Sequence, residues 1–172
     1  MHIDLSAVLA RQQKYSELAG QLTKEDLAIA TNESVDHLLA LLADLKDKEI
    51  TFIPVDPEAH DPYAAEGEEN ISWNIAHLIV HVTASSEEGA AFSSLLARGI
   101  QVTERPRYET PWREITTQAQ CVQRLEESRR MRLAYLETWP DTPHLDVFRE
   151  ISPKPCRSII HCLHTHGRNQ NR

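Results

Sequence analysis

Glycine, cysteine and positive charge are all in short supply in this chain. Five glycines in 172 residues, with no low-complexity tract, argue against a flexible or disordered polymer. The three cysteines, Cys121, Cys156 and Cys162, are odd in number and have no CxxC spacing, so they fit reduced thiols better than a disulfide framework. Eighteen Lys and Arg against 26 Asp and Glu leave a formal charge of −8, which argues against a nucleic acid or an anionic membrane surface as partner. The one basic cluster, Arg129-Arg130-Met131-Arg132, closely follows Glu126-Glu127 and is expected to pair along a helix. No stretch approaches the ~18 apolar residues of a membrane span. The opening Met-His-Ile-Asp-Leu-Ser lacks the basic start and apolar run of a signal peptide, and a cytoplasmic protein is expected.

What the chain does have is apolar residues, 41% of the total, enough for one core in a single domain over residues 1–172. Their spacing is helical almost throughout. Leu5, Val8, Leu9, Tyr15, Leu18 and Leu22 predict a first amphipathic helix over residues 4–20. Thr23-Lys-Glu-Asp26 reads as a capping signal that restarts the chain, and from Asn32 the residues Val35, Leu38, Leu39, Leu42 and Leu45 form a clean stripe. Pro54, Pro57 and Pro62 make residues 51–70 a long loop.

A second long helix is predicted from Ser72 to Arg98, with Trp73, His77, Val80, His81, Ala84, Glu88, Ala91 and Leu95 turned inward. Leu78, Ile79 and Val82 fall off that face and are available to a partner subunit, and Glu87 and Glu88 read as a solvated face. A third helix from Thr116 to Trp139 carries Cys121, Leu125, Ser128, Arg132 and Leu136 inward or near the rim. Residues 144–154 alternate, as a short strand or an extended lead-in would. Pro155 then opens a last helix, shortened by the polar run Gly167 to Arg172. The expectation is an all-α bundle whose core is Leu38, Leu42, Trp73, Val80, Leu125 and Leu136.

Five of the nine histidines lie on two apolar segments, Trp73-Asn-Ile-Ala-His77-Leu-Ile-Val-His81 and His161-Cys-Leu-His164-Thr-His166. Imidazoles brought together from two helices suit a divalent metal of borderline softness, namely zinc, nickel or iron. Each also has a plainer reading: His81 as a hydrogen-bonded core histidine, His77 as a rim or interface residue, and the terminal cluster as a frayed tail. Arg132 could recognise an anion, but a rim arginine with its stem along apolar surface accounts for it as well.

Trp73 followed by His81 eight positions on and then Glu87-Glu88, a loop ending in Pro111-Trp112, the run Arg124-Leu-Glu-Glu-Ser-Arg-Arg-Met-Arg-Leu-Ala-Tyr-Leu136 and a histidine-bearing C-terminal segment occur in this order. The pattern resembles the DinB-like, YfiT-like family over nearly the whole chain. That resemblance implies a four-helix bundle, often dimeric, with a divalent metal held by one histidine of the second helix and two of the last, usually four residues apart. It also implies either thiol-dependent transferase or isomerase chemistry on small-molecule thiols. His81 matches the second-helix ligand, and His164 best matches the first histidine of the last helix. Four residues past His164, however, stands Arg168, a cation that cannot ligate, and four past His161 stands Thr165. His161 and His164 could chelate as a pair, His166 could substitute, or the site is degraded and holds metal substoichiometrically. Two functions follow: a metalloenzyme presenting a thiol or water to an electrophilic substrate, or a non-catalytic helical binding and dimerisation module.

Overall fold

The computed structural model describes residues 2–61, 64, 66–103, 110–144 and 146–147, and every regular element among them is helical. The elements are α1 (Ser6–Leu9), α2 (Tyr15–Ala19), α3 (Lys24–Leu42), α4 (Asp47–Ile50), α5 (Ile75–Ala97), a 3-10 turn η1 (Trp112–Glu114) and α6 (Gln118–Glu137). The chain is thus all-α, as its periodicity predicts. Residues 151–172, including the expected last helix, lie outside the described residues, as does most of the alternating 144–154 stretch.

Each long helix begins at a polar residue that satisfies its first backbone donors. Thr23 Oγ1 accepts from the Asp26 amide at 3.1 Å while the Asp26 carboxylate accepts from the Thr23 amide at 2.8 Å, the reciprocal box that the sequence predicts. Asn74 caps α5 by accepting from the His77 amide at 2.8 Å, and Thr117 and Gln120 form the equivalent box at α6. Gly99, at φ +80°, ends α5: the Ile100 amide reaches back to Leu95 O at 3.0 Å and the Gly99 amide to Leu96 O at 2.9 Å. A side chain there would also meet the His144 ring at 3.1 Å.

The single helix expected over residues 4–20 is instead two short pieces. Arg11 adopts φ 57°, and the Gln12 amide bonds back to Ala7 O at 2.8 Å while the Arg11 amide bonds to Val8 O at 3.0 Å. This is the same closing motif, with arginine where glycine is usual. The apolar period ran through it because side-chain spacing does not report a backbone turn that capping bonds can stabilise.

Packing is dominated by α5 against α6 and α3 against α6. Val35, Leu42, Ile50, Ala76, Ile79, Cys121 and Leu125 form the main core cluster, with Leu38, Leu39 and Leu45 against it. Of the expected core, Leu42, Val80, Leu125 and Leu136 are buried, whereas Trp73 is only half-buried. The polar exit after α3 becomes an anchor: Asp47 Oδ1 accepts from the Gln118 amide at 2.9 Å, placing a carboxylate at the N-terminus of α6. Burial, and secondarily the Asp47 charge, push the Cys121 thiol up to about 11, which keeps it neutral and inert. The expected charge pairing on α6 is present, since Arg129 bonds Glu126 at 3.0 Å, and it extends across to Asp36 of α3 at 2.6 Å. No helix among the described residues is long and apolar enough to cross a membrane.

The inward face of α5 is rotated from the predicted one. Ala76, Ile79, Val80, Thr83, Ser86, Glu87 and Ser94 are buried, while Trp73, His77, His81, Ala84 and Glu88 form a half-buried flank. Ile79 therefore belongs to the core and not to a subunit face, and only Leu78, 46% exposed, stands clear. Glu87, read as solvated, is 6% exposed and paired with Arg124. The error has a physical cause: α5 buries small hydroxyl residues, which carry little hydropathic signal, so the larger rim residues appeared to mark the core.

Candidate metal centre

The start of α5 holds the helix-borne histidines at successive turns. Asn74 fixes the first turn, and His77 and His81 follow on one side at i and i+4. Trp73, just outside the helix, lies beneath both. Its ring stacks on His77 at 4.4 Å between centroids and sits tilted against His81 at 4.7 Å. His77 in turn stacks on Trp112 of η1, 4.9 Å away and nearly parallel at 3°. An unbroken ring column thereby joins the loop before α6 to the helix that carries His81.

A carboxylate holds the far end of that column. Glu68 accepts from the Arg113 guanidinium and, at 3.5 Å, from Trp112 Nε1, while the Arg113 guanidinium also covers the Trp112 ring at 4.4 Å. The Arg113 hydrogen bond lowers the Glu68 carboxyl below its usual range; burial works against it, and Trp112 and the charges of Arg113 and His77 reinforce it. The loop residues Glu68, Trp112 and Arg113 were not singled out as site residues from sequence. The only sequence signal was the Pro111-Trp112 pair, whose indole turns out to pack on His77.

His81 is half-buried, not deep in the bundle, and the contact described for its ring is Trp73. His77 is also half-buried and engaged in stacking, consistent with its reading as a rim residue. His161, His164 and His166, with Arg168, fall outside the described residues. Among the described residues no group of three or more His, Cys, Asp and Glu side chains could hold a metal.

A polar cluster further along α5 went unpredicted as a unit. Arg124 Nη2 donates to both Glu87 oxygens, at 2.5 and 2.6 Å, with both side chains buried. Arg132, half-buried, donates to Ser34 Oγ of α3 at 3.3 Å. Burial pushes its guanidinium below the ordinary arginine range, the Glu87 carboxylate counters that, and the Arg129 charge adds to it. The available clue was positional: Glu87 and Arg124 sit where the buried stripes of α5 and α6 continue.

Residues 30–169 match the family model described as DinB superfamily. No curated protein and no solved structure gives a match to the chain.

Proposed function

Since the chain belongs to the DinB superfamily, we propose that it binds a divalent metal, zinc, nickel or iron, through His81 of α5 with His161 and His164 from the C-terminal segment. The observation that carries this reading is the placement of His81 two turns into α5, half-buried and braced by Trp73, as an imidazole donor at the bundle rim. The donor chemistry fits: His81 is an imidazole on a helix fixed by the Asn74 cap, and the two further imidazoles are three apart in sequence. A metal held by three nitrogens would leave a position for a thiol or a water and lower its pKa, which suits thiol transfer to an electrophilic substrate or hydrolysis. The chain's own part is to hold His81 in orientation through Trp73 and to fasten the Trp112 loop over His77 through Glu68 and Arg113. The reading sets the protein in the cytoplasm, where unpaired thiols stay reduced, and as a homodimer, for which exposed Leu78 on α5 is an available contact.

Arg168, in place of the second histidine of the usual pair, makes metal retention incomplete. Elemental analysis of protein purified without a histidine tag is expected to find less than one equivalent of metal, and His81→Ala to remove most of it. A full equivalent that survives His81→Ala would refute the assignment. Protein that takes up no zinc, nickel or iron on reconstitution would favour the other reading, a non-catalytic binding and dimerisation module with a lost ligand set, which the exposure of Leu78 also suits.

A further inference from the structure

The contact between α5 and α6 holds two guanidinium groups, Arg124 and Arg132, and one buried carboxylate, Glu87. Glu87 is the buried carboxylate there, and it faces two guanidinium groups, bonding Arg124 directly and acting on Arg132 through its field. The neighbouring acids are a more exposed second partner of Arg124 and two that bond Arg129. Glu127 stands 4.0 Å from Arg124 Nη1 with its side chain 41% exposed, and Glu126 and Asp36 bond Arg129. Midway between the two arginines, one helical turn from each, lies Ser128. It is 1% exposed, and its Oγ has no hydrogen-bond partner; nor has Nε of Arg124, itself 8% exposed. Orphaned buried donors are costly, and a single small oxyanion beside the guanidinium groups supplies the missing acceptor.

We propose that the α6 face formed by Arg124, Ser128 and Arg132 binds a small oxyanion, either a free sulfate or phosphate or the carboxylate of a small organic ligand. Half-buried Arg132 marks the entrance, and Arg124 with Ser128 the inner end. The site is distinct from His81, which lies six residues before Glu87, or about 9 Å of helix rise, and anion binding there requires no metal.

The test is thermal unfolding and calorimetric titration of the full chain with sulfate, phosphate and acetate against chloride at equal ionic strength, in the presence of a chelator. Millimolar oxyanion is expected to raise the unfolding temperature by about 2–4 °C beyond chloride. Ser128→Ala removes an unpartnered hydroxyl and so should fold at least as stably in oxyanion-free buffer, while binding the oxyanion about tenfold more weakly. Arg132→Gln at the rim should abolish the response. Activity of sulfate and phosphate identifies a free inorganic anion, and activity of acetate alone identifies the carboxylate of an organic ligand. Equal shifts with chloride, or a response unchanged in Ser128→Ala, overturn the proposal. Because the chelator is present throughout, failure here and failure of the metal reading are separate results.

Discussion

Arg124 and Glu87 show how a single pair of side chains can hold both cost and function. Inside the α5–α6 contact the two charges are desolvated together, so their value lies in being paired, not in being present. Arg124→Met is expected to destabilise the fold by about 3–5 kcal/mol, because it strands a buried carboxylate. Adding Glu87→Leu should restore most of that loss, since an apolar pair of similar volume removes the desolvation cost on both sides. Urea unfolding of the two variants makes the comparison, and a double variant no more stable than the single one would show that Glu87 is not stranded by the first change.

At the scale of the element, the N-terminus of α3 depends on an acid that other groups hold ionised. The Thr23 hydroxyl bond is the largest cause, followed by His2 and the Thr23 amide, and together they bring the Asp26 carboxyl down to about 2. A folded-state value below the unfolded value of about 3.9 means that the contribution is fully present above that value. It is lost as pH falls toward and through 2. His2 adds a second tie, its amide bonding Glu33 and its ring bonding Asp26 at 2.6 Å, so the segment before α1 is fastened to α3 by the same carboxylates. A carbon-detected titration of Asp26 should therefore show a midpoint near 2, with the amide signals of the first turn of α3 shifting together with it. A midpoint near 4 would mean that the box does not persist in solution.

For the whole molecule, stability is concentrated where long helices pack. Helix α6 lies between α5 and α3 and contributes Cys121, Leu125 and Ser128, each at most 1% exposed. The short α1 and α2 have only Val8 buried between them. Local opening is cheapest where few apolar contacts must break. Hydrogen exchange followed by mass spectrometry is expected to find the slowest amides in the middle of α5 and α6 and the fastest in α1, α2 and residues 51–61. Protection of α1 equal to that of α6 would contradict this ranking.

Periodicity and capping chemistry by themselves determined the helical class, the bounds of α5 and α6 to within a few residues, and the Thr23 box, because 3.6-residue spacing and a hydroxyl three residues before an acid are local properties. The order of motifs, from Trp73 and His81 through Pro111-Trp112 and the Arg124–Leu136 run to the C-terminal histidines, likewise carried the resemblance to the family. Only the tertiary structure decided which face of α5 is buried. Thr83, Ser86 and Ser94 go inward because small residues let helices approach closely, a gain that depends on the neighbour and not on hydropathy. It alone joined Glu68, Trp112 and Arg113 to His77, and Glu87 to Arg124. The contacts of Trp112 with Glu68 and His77, of Arg113 with Glu68, and of Glu87 with Arg124 each span 35 or more residues of chain, and nothing in a one-dimensional pattern reports which distant stripe a helix will meet.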